Sequence, residues 1–343
     1  MVLAAGVALA ASACSSNGSG NGSGGGTASS SPGTSASGVT ASSAKVSIYA
    51  IGGEPSDPFW AKVKRGVEDA AKVVAAQGGS VTWLGLQNYN NLGPDAAKLV
   101  QTAISDGATA IIAPDWVPQA ENSALKQVAA AHVPLIVYNS GGMQEASLLG
   151  ALDYIGSDDY IAGVAGGKYF GAHGVKHVLC VNTLPGAANT EARCKGIKNG
   201  LAPSGGKETE LELPSSQFGN PTAVSQAIKG ALLKDSSIDG VVTISVQDAD
   251  SAASAISQAS AGGKVKLGTF DVDTTNLERI KSGQQLFCID QQPYLQGFLS
   301  VTLADGYQRY GLTFPQKPLL TGPAIIDAGS VGAVLAGARA GVR

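Results

Sequence analysis

Val265–Gly297 reads VKLGTFDVDTTNLERIKSGQQLFCIDQQPYLQG. The stretch alternates twice between strand and helix. Val265–Phe270 is an apolar run of strand length, and Asp271 follows it directly. Leu277 and Ile280 then mark a short amphipathic helix that stops at Gly283. A second apolar run from Phe287 leads to Gln291, and Pro293 opens a helix rich in Leu, Phe and Val, since proline suits the first helical position. Ligands of open α/β sheets bind beyond the carboxyl ends of the strands. The stretch sets two groups at that edge: the acceptor-only carboxylate of Asp271 and the amide of Gln291, which both donates and accepts. Such equipment suits a ligand made of hydroxyls.

The same alternation extends outward in both directions. Strands are expected at 46–51, 81–86, 110–113 and 133–138, with helices from Asp57-Pro58, from Asp95 and from Gln119 between them. A second series has helices at 160–170, 191–201, 222–233 and 250–261, and strands at 175–181, 208–213, 241–244 and 265–270. Two such sets predict an α/β protein of two doubly wound parallel-sheet lobes with a cleft between them. No Pro/Gly-rich linker separates the sets, so a short crossing is expected near Gly156-Ser157-Asp158. The chain is expected to return to the first lobe near Gln291 and to leave it near Gly322. The lobes then comprise 45–156 with 292–322, and 157–291 with 323–343, joined by a hinge of crossing strands.

With 343 residues, 44% hydrophobic and 14% charged, the chain can fill two cores. A net charge of −3 lacks the basic footprint of a nucleic-acid binder. Val2–Ala13 is small and apolar, too short to span a bilayer but of the size of a secretory signal core. Ala11-Ser12-Ala13-Cys14 resembles a bacterial lipobox, which implies acylation of Cys14 after removal of 1–13. No Lys or Arg precedes the apolar run, which admits a truncated start. Residues 14–44 are almost wholly small and polar and are expected to form a tether. The formal dinucleotide fingerprint at Gly20–Gly25 has no strand before it and no helix after it, so it is rejected.

Covalent chemistry has little support. The chain has no Gly-x-Ser-x-Gly elbow, and no Gly-Lys pair is followed by the Ser or Thr of a P-loop. His173 and His177 have the spacing of a helical metal pair, but Gly174-Val175 between them marks a helix-to-strand junction. They are read as structural, and no metal and no cofactor is expected. Cys180 near a strand end and Cys194 in the next helix either form a disulfide, closing a loop of about 15 residues worth roughly 3 kcal/mol, or remain two buried thiols. Cys288, in an apolar run, reads as a core thiol.

Asp57-Pro58-Phe59-Trp60 follows the first strand. Asp57 is a ready N-cap, and the two rings are either core or a wall for the C–H faces of a sugar. Adjacent helical positions diverge by about 100°, so at least one ring is expected at the ligand. Asp115-Trp116, past the third strand, could line the cleft mouth.

These pieces together resemble the ribose- and galactose-type periplasmic sugar-binding proteins of ABC importers, from Lys45 to the C-terminus. That resemblance implies ligand contacts by Asp57, Phe59 and Trp60, by Arg193 three residues before Gly196, by Asp271 of Phe-Asp, and by Gln291 of the Gln-x-Pro motif. Asn139-Ser140 stands where the family has Asp-Arg, which removes the charged pair that clamps a ring oxygen. One of Ser245, Gln247 and Asp248 is expected to take the role of a family Asn. Asn139-Ser140 and Asp290–Gly297 look closest to actinobacterial members that take sugar alcohols.

The expected protein is a monomeric, lipid-anchored, extracytoplasmic receptor. It would capture a monosaccharide or sugar alcohol, with C4–C5 alditols favoured, deliver it to an ABC permease, and perform no catalysis. The alternatives are a ligand-presenting sensor subunit and a glycosidase using Asp57, Asp271 and Asp290. A DNA-binding regulator of the same lobe fold is disfavoured, because a tether stands where its DNA-binding helices would be.

Overall fold

The computed structural model describes residues 45–343. The apolar leader, Cys14 and the tether lie outside the described residues. The chain first builds β1 (Ser47–Gly52), α1 (Pro58–Ala76), β2 (Ser80–Gly85), α2 (Leu92–Ser105), β3 (Ala110–Ala113), α3 (Pro118–Ala130), β4 (Leu135–Tyr138), α4 (Gly142–Leu148) and β5 (Tyr154–Ser157). It continues with α5 (Asp159–Ala172), β6 (His177–Asn182), α6 (Ala188–Leu201), β7 (Lys207–Glu212), α7 (Pro221–Lys234), β8 (Gly240–Thr243), α8 (Val246–Gln258), β9 (Lys266–Phe270), α9 (Thr274–Lys281) and β10 (Phe287–Asp290). α10 (Pro293–Tyr310), β11 (Leu319–Gly322), β12 (Ala324–Ile326) and α11 (Val331–Arg339) complete it.

Two six-stranded sheets result, ordered β11-β5-β4-β3-β1-β2 and β12-β10-β9-β8-β6-β7. Their central strands AIIA, LIVY and GVVT are fully buried, as parallel strands covered on both faces must be. β7, at an edge, is KETELE with alternating exposure, and charge there discourages pairing with another chain. Every strand pair is parallel except β10–β12. β12 enters the second sheet directly from β11 of the first, with no helix between them.

Both sheets reverse strand order at one place, between β1 and β3 in the first and between β6 and β8 in the second. That reversal opens a crevice at the carboxyl ends. The chain passes between the sheets three times: after β5, from β10 into α10, and from β11 into β12. The last two crossings brace each other. Thr321 Oγ1 donates to the Gln291 carbonyl at 2.7 Å, and Gln292 Nε2 donates to the Thr321 carbonyl at 2.7 Å. A Cβ at Gly322 would stand 2.7 Å from the Asp290 carbonyl, so the crossing requires glycine.

The sequence reading does not include α4, β5, β11, β12 or α11, and it places the start of α8 later. The crossing expected near Gly156 is preceded by a strand, β5, whose Tyr154 hydroxyl reaches the carbonyls of Asn139 (2.9 Å) and Ser157 (2.8 Å). α8 starts at Val246 rather than Asp250, because Ser245 caps it by accepting from the Asp248 N–H at 3.2 Å.

Candidate functional site

Residues just past β1, β2, β3 and β4 meet residues past β6, β8, β9 and β10 around one cavity. The first sheet supplies aromatic rings. Trp60 is edge-on to Phe59 (5.3 Å), Trp116 (5.3 Å) and Tyr138 (5.9 Å), and tilted against Trp83 at 6.3 Å. Phe59 and Trp60 both line the cavity although adjacent: they stand in the first turn of α1, where the helix end rather than its flank meets the cleft. Asp57 caps that helix. Its Oδ1 accepts from the Phe59 N–H at 2.9 Å and its Oδ2 from the Tyr89 hydroxyl at 2.8 Å. Burial pushes the Asp57 carboxyl up to about 7 against the pull of those two bonds.

The second side is a hydrogen-bonded chain. Arg193, buried on α6, donates from Nε to Asp159 (2.8 Å), from Nη1 to the Ile244 carbonyl (3.0 Å) and from Nη2 to Gln291 Oε1 (3.0 Å). Its guanidinium lies 4.6 Å from the centre of the Phe270 ring. Gln291 passes the chain on, donating from Nε2 to Asp271. Burial raises the Asp271 carboxyl, while Arg193 and Gln291 oppose that shift. Asp271 (φ 70°) and Asn139 (φ 62°) both adopt the left-handed conformation immediately after their strands, which Asp and Asn tolerate better than most residues. Asn139 donates to Gln296 at 3.3 Å, but its Oδ1 is buried without a partner.

Asp57, Phe59, Trp60, Trp116, Asn139, Arg193, Asp271 and Gln291 therefore share one cavity. Asp115 does not reach it. Successive residues of an extended segment face opposite ways; Trp116 takes the cleft side and Asp115 is fully buried behind it. Neither Asp115 oxygen has a partner, and burial, then Glu145 nearby, pushes its carboxyl up to about 7. Ser140 is also turned away, its hydroxyl donating to the Asp115 carbonyl at 3.0 Å. Of the three residues left open after β8, Ser245 lines the cavity, while Asp248 accepts from Thr183 at 2.7 Å.

Tyr89, Phe218 and Asn189 line the cavity and were not anticipated. The first two sit in loops, which carry no periodicity to read. Asn189 lies four residues before Arg193, and that spacing places both on one helix face.

Other candidate groups are occupied. Asp290 lies outside the cavity, 3.0 Å from Arg343 and accepting from the Gln292 N–H at 2.8 Å, so it does not join Asp57 and Asp271 as a catalytic carboxylate. His177, on β6, contacts the hydroxyls of Ser237 (2.8 Å) and Thr209 (2.9 Å), while His173 ends α5. Cys180 and Cys194 are joined as a disulfide with Cα atoms 5.7 Å apart. Among the described residues, the one cluster with metal-ligand spacing is Cys180, Cys194 and Glu208, and the disulfide leaves it no thiolate. Cys288 is a buried free thiol.

The cleft is closed. Ala188 N–H donates to the Trp116 carbonyl at 2.7 Å, Lys62 Nζ donates to the Val272 carbonyl at 2.7 Å, and Tyr89 meets Phe218 edge-on at 4.9 Å. The cavity left inside is about 50 Å³, well below the roughly 300–1,000 Å³ of ordinary ligand pockets. A ligand can enter only if these contacts part. A larger cavity of about 660 Å³ lies at the opposite end of the second sheet, beside Lys266. Two of its polar groups are paired, Tyr169 with Asp327 (2.8 Å) and Gln285 with the Phe287 carbonyl (3.0 Å).

Residues 48–311 match the periplasmic binding protein domain. A solved structure described as a carbohydrate transporter from Acidothermus cellulolyticus 11B in complex with myo-inositol is 30% identical with TM-score 0.79, covering 88% of this chain and 100% of that one. A glucose-galactose binding protein from Geobacillus stearothermophilus, 16% identical, has TM-score 0.72 over 83% of this chain and 98% of its own, a likeness of fold. The xylose/arabinose-binding protein XylF of Sulfolobus acidocaldarius is 24% identical over 71% of this chain; the match spans 61% of that relative's length. No described helix is long and apolar enough to cross a membrane. Two parallel α/β lobes closing on a cavity at their strand ends, with a family match across most of the chain, have one reading: the chain belongs to the periplasmic binding protein family.

Proposed function

We propose that this protein captures a small polyol and delivers it to an ABC permease, held at the extracytoplasmic face of the cell membrane by lipid on Cys14. The body 45–156 with 292–322 closes on 157–291 with 323–343, and the three crossings serve as the hinge. The observation that carries the ligand class is Asn139. It is neutral, and its Oδ1 is buried and unpartnered in the cavity. A buried unpaired acceptor costs about 1–3 kcal/mol, so it favours a ligand that donates there. A hydroxyl donates; a ring oxygen cannot. Molecules whose oxygens are all hydroxyls fit best, and C4–C5 alditols should bind more tightly than the corresponding aldoses. The Acidothermus neighbour, whose bound myo-inositol also lacks a ring oxygen, favours a second reading, a cyclitol.

The test is calorimetry on the purified protein with xylitol, threitol, myo-inositol, ribose and xylose. Tighter binding of the first two carries the alditol reading, and tighter binding of myo-inositol the cyclitol reading. Preference for the aldoses refutes both. Separately, Cys14→Ala should release the protein from membranes without changing its affinity; retention in the membrane fraction refutes the anchor.

A further inference from the structure

We propose that Asn189 is a specificity-determining contact that reads one hydroxyl of the ligand and does so only in the closed cleft. The inference rests on the reading of the cleft as a site for a hydroxylated ligand. Asn189 is in the first turn of α6 and 9% exposed. It lies four residues before Arg193, so both side chains project from the same face, and both line the cavity. Arg193 is held by Asp159, Ile244 and Gln291. Asn189 Oδ1, by contrast, is buried with no hydrogen-bond partner. No neighbouring side chain competes for it, and the cavity is where a partner can arrive. A hydroxyl satisfies that end whichever way the carboxamide is turned, because it both donates and accepts.

The preceding residue ties this contact to closure. Ala188 N–H is bonded to the Trp116 carbonyl at 2.7 Å, and Trp116 belongs to the opposing side of the cleft. Opening must break that bond and withdraw the first turn of α6 from the aromatic wall. Asn189 therefore meets a ligand seated on that wall only once the sides have come together, and its hydrogen bond rewards the closed form. Asn189 also borders an adjoining cavity of about 410 Å³ next to Ser157 and Tyr160. A truncated side chain there is replaced by water rather than by a void, so the fold should tolerate the change.

The experiment measures affinity by calorimetry for wild type, Asn189→Ala, Asn189→Asp and Asn199→Ala, a more exposed position on the same helix. The probe is the tightest binder among xylitol, threitol, myo-inositol, ribose and xylose, together with its monodeoxy derivatives. Asn189→Ala should bind about tenfold more weakly, the weight of one hydrogen bond. One monodeoxy derivative should lose affinity toward wild type yet bind the alanine variant as well as its parent does. Asn189→Asp should keep the discrimination, and Asn199→Ala should behave as wild type. If Asn189→Ala does not fold, Asn189→Ser is read in the same way. Unchanged affinity, or a parent-to-deoxy ratio that no Asn189 variant alters, overturns the inference. If an aldose proves the tightest probe, the alditol and cyclitol readings fail while the Asn189 test still runs. If none of the five binds wild type, both fall.

Discussion

The two walls of the cleft are built from different chemistry on the same scaffold. Each is carried on loops and helix starts at the carboxyl ends of a sheet with the same strand order. The first wall is a cluster of rings around Trp60 that merges with the core, since Trp60 and Tyr138 are buried among strands and helices. The second is the chain Asp159–Arg193–Gln291–Asp271, in which each group is oriented by the next. A polyol presents C–H surface and hydroxyls on different sides, and a cleft divided in this way can grip both. The division also separates the penalties for damage: loss of a ring should be felt by the fold, and loss of a polar group by the ligand.

The strongest test removes the centre of the aromatic wall. Trp60→Ala should cost about 3–5 kcal/mol of stability, as large-to-small core changes do, read by denaturant unfolding of ligand-free protein. If stability barely moves while affinity falls, the wall is a ligand surface only and the contrast fails. Asp271→Ala should cost about 1.5–3 kcal/mol of binding, the scale of a hydrogen bond to a charged group, with a smaller change in unfolding. A stability loss matching that of Trp60→Ala would show that the polar wall is equally structural.

Lys62 sharpens the comparison because it bridges the walls. It rises from α1, donates to the Val272 carbonyl at 2.7 Å and stands near Asp57, Asp271, Asp273 and Asp290. Lys62→Met should weaken ligand binding by about fivefold, about 1 kcal/mol, through loss of the closed form. Scattering should find the ligand-free variant more expanded than wild type, and identical dimensions would argue against a latch.

The smallest expected effect is on pH. Burial raises the Asp57 carboxyl from 3.8 to about 7 on folding. The folded state thus holds that proton more tightly. Its stabilising share is whole below about pH 4 and is lost as pH rises through about 7. The ligand-free protein should melt at a lower temperature at pH 8 than at pH 5, and Asp57→Asn should lessen that difference. An equal difference in the variant would assign it to the other carboxyls that burial raises, Asp115 and Glu208 to about 7 and Asp159 and Asp248 to about 6.

Much of this was legible in the sequence for a physical reason. Buried parallel strands must be short continuous apolar runs, and AIIA and LIVY are such runs. The residues just past them were legible as well, because a strand end fixes where its successor stands. Which way that successor faces was not. Asp115 and Trp116 differ only in side, and the core's preference for the indole over the carboxylate does not settle a loop. β5 was hidden because Tyr154–Ser157 is four residues long and contains a glycine. Phe218 reached the site through a loop between an edge strand and α7, a path without pattern.

Gln291 carries a consequence for how occupancy becomes visible outside the cleft. Its side chain is a member of the polar chain, while its carbonyl accepts from Thr321 at 2.7 Å and from Gln296 at 3.2 Å where the chain crosses between sheets. On the proposed function, cargo handle and pivot would be one residue, as in a lever whose load rests on its fulcrum. A rotation of the jaws turns the amide, and a grip on the amide resists rotation. The outward silhouette of the protein would then be a readout of whether it is carrying anything, with no relay of intermediate residues for the message to cross.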